Sequence, residues 1–553
     1  MSCSWWLVGL LAFLLQIPRP DAGEEVGREL ETARRTILAR DASELSRLAD
    51  GLTEKGETQA AAEVRARIPR PPKPDGATRF VPLPDIVHPQ AASKAGAGKA
   101  RLDEIQIRSA SELFELAKRA AGTDPPRYSL ASVCLHEVLV RQPDHREARR
   151  LLGFAPYERG WAKPYAIQQL KKGYVDHPTF GWVEADWLPH LDRGELPSPP
   201  SREKVRWLPA ADADRLRADW SPPWKIVTEH FEVQTNVPLA EAIGFGRRLE
   251  AFHDLFMSLM ADILGDAIPM IRRFHEPALV GEPATKRHVI YYFASKKDFA
   301  GYLTPKYGAD IADSLGFYDP PKSSRTGRTP AYFYYYPDGQ LPVEANLYHE
   351  VSHQLLFETA GRNAYTSNFG NYWVFEGLGT YFETVEPQPD GSLEVGGRVG
   401  PRIEVAIQSL VDQEKAIPLA HFVALDENVF MRKDRERALR YQQAEALTVF
   451  LMQWRQGTYR EGFLDYVRDA YRGRIKRGTG RRLEDRLGQP YATLEAQFLA
   501  FLRDGRSRNR EPAPAPTAAT KTTSGGSIRT VPKADSSAKA AASGSIRTVP
   551  RPQ

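Results

Sequence analysis

The strongest chemical signal in the chain is the pentapeptide His349–Glu350–Val351–Ser352–His353. On a helix, the two histidines of an HExxH sequence lie one turn apart on one face, where both imidazoles can bind the same zinc ion. The glutamate between them then lies beside the metal, where it can take a proton from metal-bound water. The pattern therefore predicts a zinc site that activates water for hydrolysis.

A second cluster, Trp373–Gly377 (WVFEG), offers a third ligand in Glu376. Two histidines and one glutamate leave one position of a tetrahedral zinc ion open, which is typical of catalytic sites and not of structural ones. Glu383, two helical turns further on, is a candidate acceptor for the second ring nitrogen of a ligand histidine. In the alternative interpretation, the two histidines of HExxH are ordinary polar residues of a surface helix.

The sequences HEVSHQLL and WVFEGLGTYFE resemble those of the gluzincin metallopeptidases, the peptidase MA group, within a region from about 224 to 502. The resemblance implies an α+β, thermolysin-like catalytic domain with a small mixed sheet, active-site helices and a helical C-terminal lobe. It also implies a peptidase whose Zn²⁺ is bound by His349, His353 and Glu376, with Glu350 as the general base. The nearest branch is a poorly characterised one found in large secreted bacterial proteins.

Two further comparisons with gluzincins refine this expectation. Tyr441, in the sequence YQQA, resembles the tyrosine of the Y-x-K-G sequence that stabilises the oxyanion in aminopeptidase-N-like enzymes, although the lysine and glycine are missing here. His421 is the alternative oxyanion donor. The G-x-M-E-N sequence that binds a substrate's free amino group is absent before HExxH, which argues against a typical aminopeptidase.

Length and composition predict several units in the 553 residues. The predicted organisation is a signal peptide at 1–22, a helical hairpin at 23–68, a linker at 69–107, a tetratricopeptide-like helical region at 108–195, a Pro-rich connector at 196–223, the metallopeptidase domain at 224–502, and a disordered basic tail at 503–553. The short apolar run near the N-terminus predicts export to the periplasm, the cell envelope or the medium, and the alternative is an uncleaved membrane anchor.

The net charge of +5 is small for this length, so no specific nucleic-acid binding is expected. The basic residues are concentrated in the tail, which carries a net +7 and two copies of the sequence GSIRTVP. These copies either bind an anionic envelope surface or belong to a solvated spacer. The helical hairpins either bind a protein partner or serve as a structural prefix to the enzyme.

The aromatic sequence AYFYYY at residues 331–336 predicts a strand. By analogy with gluzincins it either lies at the rim of the cleft and pairs with an extended peptide substrate, or it is a buried aromatic strand. Two alternatives to a peptidase stay open for the whole chain: a non-catalytic gluzincin fold used for binding, and an envelope scaffold that uses the hairpins and the basic tail.

Overall fold

The computed structural model describes residues 22–69, 77–88, 97–199, 205–220, 222–319, 328–336, 343–360, 370–397, 401–475 and 482–509. The predicted signal peptide, apart from its last residue, and both GSIRTVP copies lie outside these ranges. The predicted α+β class is confirmed, since helices dominate and the strands form small sheets. No helix in the described ranges is long and apolar enough to cross a membrane.

The first part of the chain packs amphipathic helices side by side. These helices are α1 (Ala22–Glu54), α2 (Thr58–Ala66), α3 (Ala97–Ala121), α4 (Tyr128–Arg141) and α5 (Arg146–Leu151). Along α1, Leu30, Leu45 and Leu52 recur at helical spacing and are buried, so the helix turns one apolar face toward its neighbours.

Beyond Leu151 the chain forms small hairpins, so the prediction of a helical region extending to residue 195 is wrong there. The strands up to residue 209 are β1 (Thr78–Phe80), β2 (Ile86–Val87), β3 (Ala155–Tyr157), β4 (Gly160–Ala162), β5 (Tyr174–His177), β6 (Gly181–Glu184), β7 (Glu195–Pro197) and β8 (Trp207–Pro209), and the short helices are α6 (Pro164–Lys171), α7 (Leu188–Leu191) and α8 (Ala210–Arg215). Gly173 and Gly181 adopt φ angles of 84° and 66°, which a continuous helix cannot contain.

A five-stranded mixed sheet forms the centre of the second part. Its strands are β9 (Trp224–Val227), β10 (Phe231–Thr235), β11 (His288–Phe293), β12 (Gly316–Tyr318) and β13 (Ala331–Tyr334), in the spatial order β12-β13-β11-β10-β9. Strand β11 is parallel to β10 and β13, whereas the two outer strands are antiparallel to their neighbours. The rim position predicted for AYFYYY is wrong, because β13 pairs on both sides and is buried; the alternative, a buried aromatic strand, is the one observed.

Helices cover both faces of this sheet. They are α9 (Leu239–Leu259), α10 (Ala261–Leu264), α11 (Pro269–His275) and α12 (Lys296–Tyr307). On one face, the ring of Phe245 from α9 stacks on Tyr292 at 3.9 Å between centroids. On the other, Phe299 of α12 lies 5.3 Å from the ring of Tyr334. Both faces of the sheet are thus apolar, which explains why three of the four residues of β13 are aromatic.

The C-terminal part is mostly helical. Its elements are α13 (Val343–Ala360), α14 (Tyr372–Phe382), β14 (Glu386–Pro387), β15 (Leu393–Val395), α15 (Pro401–Ile407), α16 (Leu419–Phe422), α17 (Glu427–Phe430), α18 (Arg437–Gln453), α19 (Arg460–Tyr471), α20 (Leu483–Leu487) and α21 (Tyr491–Asn509). Helix α14 lies against α18 so closely that a Cβ atom at Gly377 would meet the hydroxyl oxygen of Thr448 at 2.5 Å. Helix α21 continues past residue 503, where the disordered tail was predicted to begin.

The predicted linker at 69–107 takes part in this C-terminal structure. Strand β1 pairs antiparallel with β15 in the sheet β1-β15-β14, and the side chain of Phe80 is buried. Nearby, Arg79 Nε donates a hydrogen bond to Ser392 Oγ at 3.0 Å. Likewise, the predicted connector at 196–223 contains β8 and α8. The described parts of both segments are therefore structured, although their proline content predicted spacers. Strand β1 pairs with a strand more than 300 residues later, whereas β8 pairs with β7, which ends ten residues before it.

Candidate metal centre

Helix α13 carries the HExxH residues into the interior of the protein. His349 and His353 are four residues apart, so their rings lie on one face of the helix, and both are buried. Their Nε2 atoms are 3.1 Å apart, and the two ring planes are nearly perpendicular, at 88°. Two imidazole nitrogens therefore point toward the same small volume.

Helix α14 adds a carboxylate to this pair. The Oε2 atom of Glu376 lies 3.4 Å from His349 Nε2 and 3.9 Å from His353 Nε2, and its side chain is fully buried. Burial would raise the pKa of Glu376, but its contacts with the two histidines outweigh burial and hold that pKa well below its ordinary value. The carboxylate is thus ionised, and its donor set of two nitrogens and one charged oxygen fits zinc.

Two acidic groups set the charge state of the histidines. Burial lowers the pKa of His349, but interactions with Glu376 and Glu383 raise it to about 10. Burial is the main cause at His353, where it lowers the pKa to about 4. The ring of His353 is thus neutral, and its Nε2 atom accepts a hydrogen bond from Nε2 of the protonated His349 ring. A bound metal ion would replace that proton.

Glu350 lies between the two histidines in sequence, but its oxygens are not among the three atoms that converge, which belong to His349, His353 and Glu376. Both of its carboxylate oxygens are buried without a hydrogen-bond partner among the described residues. Burial raises the pKa of Glu350 to about 8; the charge of His349 opposes this rise, and the backbone of Tyr318 on β12 opposes it more weakly. A carboxylate with unoccupied lone pairs beside a metal-type donor set is suited to accept a proton.

Three neighbouring side chains hold the donors in place. Glu383 Oε1 lies 2.7 Å from His349 Nδ1, which is the role for which the sequence had offered Glu383 as a candidate. The hydroxyl of Tyr372 donates to Glu376 Oε1 at 3.0 Å. The ring of Phe375 stacks on His353 at 3.8 Å. Sequence reasoning missed Tyr372, although its position four residues before Glu376 places both on one face of α14.

We expect Glu383→Gln to weaken zinc binding by about 10- to 100-fold, the usual effect of removing an acceptor behind a ligand histidine. The amide keeps the size of the side chain but takes away the negative charge beside His349 Nδ1, which lies 2.7 Å from it. Competition with a fluorescent zinc chelator would measure the change. Unaltered zinc affinity would mean that the contact does not orient the ring.

Tyr441 lies near this centre. It is buried on α18, and its hydroxyl donates to Met431 Sδ at 3.3 Å. The pKa of Tyr372 is raised first by burial, then by the charge of Glu376, and more weakly by Tyr441. Tyr441 is therefore close enough to influence Tyr372, whose hydroxyl donates to Glu376 Oε1. His421, the alternative oxyanion donor, is exposed on α16. A role of Tyr441 in oxyanion stabilisation stays a prediction.

Comparison with known proteins adds one similarity. Residues 344–473 match the model of a family described as a protein of unknown function (DUF1570). The matched range contains all of α13 except its first residue, all of α14, and Tyr441, and therefore every residue of the converging donor set. No curated protein matches the chain.

Proposed function

We propose that the protein is a zinc-dependent peptide-bond hydrolase of the gluzincin type. The observation that carries the proposal is the convergence of His349 Nε2, His353 Nε2 and Glu376 Oε2 within 3.9 Å of one another, next to a buried carboxylate at Glu350 that has no hydrogen-bond partner in the described ranges. These three donors would hold Zn²⁺, which when bound polarises a carbonyl oxygen and lowers the pKa of water.

The protein's own residues supply the remaining steps. Glu350 accepts a proton as water attacks the amide carbonyl, and returns it to the nitrogen of the leaving amine. Glu383 keeps the ring of His349 in its orientation through the contact at Nδ1. Tyr372 holds Glu376 by donating to its second oxygen. Tyr441 donates a hydrogen bond to the developing oxyanion in this proposal, typically worth about 3–4 kcal/mol.

A peptide substrate is favoured by the strand next to this centre. Strand β12 lies at one edge of the five-stranded sheet in the described ranges, and it contacts α13. The backbone of Tyr318 at its end affects the pKa of Glu350. An extended peptide that added to this sheet edge would therefore bring its amide groups close to Glu350. Export, as predicted from the N-terminus, belongs to the same proposal and rests on the sequence.

His353→Ala provides the test. We expect the variant to lose most of the zinc bound at this centre and all digestion of a peptide library, because two ligands hold zinc poorly. His88→Ala is the matched control, since His88 is exposed and lies outside both clusters of metal-type ligands in the described residues. Elemental analysis and mass spectrometry of the digest give the two readouts. Undiminished zinc in the variant, or a parent protein that binds zinc but cleaves no peptide, would overturn the proposal.

A further inference from the structure

A second group of metal-type ligands lies away from α13 and α14. His230, Glu250 and His253 each offer one ligand atom, and these atoms all lie within 4.8 Å of one another. Glu250 and His253 are three residues apart and share a face of α9, while His230 comes from the turn between β9 and β10. Donors from two separate elements thus meet at one place, and neither the family resemblance nor the proposed peptidase reaction uses them.

The hydrogen bonding of this group is incomplete. His230 Nδ1 lies 2.7 Å from Glu250 Oε2, and the backbone N–H of His230 donates to Glu250 Oε1, also at 2.7 Å. By contrast, His253 is only 8% exposed, and its Nδ1 atom has no hydrogen-bond partner within the described ranges. The closest carboxylate contact recorded for it is Asp254 Oδ1 at 3.8 Å, beyond hydrogen-bonding distance. The buried Nδ1 atom of His253 is therefore available to bind a ligand.

The charges around the group are unbalanced. Lys163 Nζ is shared between Asp254 Oδ2 at 3.1 Å and Asp85 Oδ1 at 3.2 Å, so one ammonium group serves two carboxylates. Glu250 adds a third carboxylate, which His230 Nδ1 contacts at 2.7 Å. A divalent cation together with Lys163 would balance these three carboxylates.

The orientation of the two imidazole rings decides how they could bind one ion. The rings of His230 and His253 stack at 3.7 Å with 16° between their planes. One of them must therefore turn about its Cβ–Cγ bond for both lone pairs to meet one ion.

We propose that His230, Glu250 and His253 form a second site for a divalent transition-metal ion of the zinc type. Two imidazoles and a carboxylate are the ligands that such ions prefer, whereas magnesium and calcium prefer oxygen ligands alone. The ion fastens the β9–β10 turn to α9. The site lies close to the candidate metal centre, since Phe252, the residue before His253, contacts the ring of Tyr348, the residue before His349, at 4.8 Å between centroids.

Zinc stoichiometry of the full chain tests this site separately from the peptidase proposal. The protein is stripped with a chelator, dialysed against zinc and measured by elemental analysis. We expect about two zinc ions per chain in the parent and in His88→Ala, and about one in His253→Ala and in His353→Ala. Glu250→Gln keeps the side-chain size and should also lose one zinc ion, so the result does not depend on the alanine variant alone. Circular dichroism shows whether each variant is folded.

A second readout uses stability. In His353→Ala, where only the second site remains, added zinc should raise Tm, because a ligand that binds the folded state alone stabilises it. The increase should vanish when His253→Ala is combined with it. The second site would be overturned if His253→Ala and Glu250→Gln each still bound two zinc ions per chain. It would also be overturned if the parent bound one zinc ion and only His353→Ala removed it. A single ion removed only by His253→Ala would support it while rejecting the zinc centre of the proposed peptidase.

Discussion

Glu350→Gln is expected to retain zinc and to digest peptides about 10²–10⁴-fold more slowly, the usual contribution of a positioned general base. The oxygens of Glu350 are not among the three converging donors, so the amide leaves the ligand set intact. Glutamine fills the same buried volume but cannot accept the proton of the attacking water. Initial rates on a peptide that the parent cleaves, together with elemental analysis of both proteins, give the comparison.

Glu376→Gln is the matched control, because it makes the same chemical change one helix away. Its Oε2 atom lies 3.4 Å from His349 Nε2, so losing the charge should release zinc as well as abolish hydrolysis. The two variants thus separate a proton acceptor from a ligand. Loss of zinc from the Glu350 variant, or digestion at the parental rate, would show that the two glutamates do not have the roles proposed for them.

Gly379→Ala is expected to damage the proposed zinc site without replacing a ligand. A Cβ atom at this position would lie 2.8 Å from Cε1 and 2.9 Å from Nε2 of the His349 ring, which is closer than real Cβ contacts. Helix α14 has little room to move away, because it already lies close to α18. Even a Cβ atom added at Gly377 would lie 3.0 Å from the carbonyl oxygen of Ala444 on α18. Such overpacking typically costs about 1–3 kcal/mol, and here the displaced group is a ligand.

A zinc titration and a thermal melt measure the two effects. We expect zinc affinity to fall at least about tenfold, which corresponds to roughly 1.4 kcal/mol of this strain acting on the zinc-bound state. Gly301→Ala is the control, since Gly301 lies within α12 and an added Cβ would meet nothing within 4 Å. Alanine there should leave zinc affinity unchanged and slightly favour the helix. Parental zinc affinity in Gly379→Ala would mean that the His349 ring can shift without leaving the metal.

The residues of the candidate metal centre were predictable where helix geometry alone decides their position. The spacing of His349 and His353 places both rings on one face of any helix, whatever surrounds it. Glu376 was identified through its resemblance to a family sequence, and the glycine that follows it has a packing reason in the contact with α18. Tyr372 and Phe375 were missed, because their roles depend on how α14 crosses α13.

Strand order and long-range pairing were the main failures of the sequence predictions. The pattern at 331–336 predicted a strand correctly, but nothing in six aromatic-rich residues specifies whether a strand lies at the edge or inside a sheet. Strand β1 is only three residues long, and its partner Leu393–Val395 lies more than 300 positions later. Proline and alanine around it dominate the composition and predict a linker, since a local window does not contain the partner.

The pairing of β1 with β15 also sets an order of events during synthesis. Thr78–Phe80 are made early, yet their partner residues at 393–395 emerge only after about 300 further residues have been added. At typical rates of about 5–20 residues per second, β1 waits roughly 15–60 s with its backbone groups unpaired. During that interval the chain exposes a strand edge, the kind of surface that chaperones bind and that aggregates grow from. Any premature stop before residue 393 makes that exposure permanent.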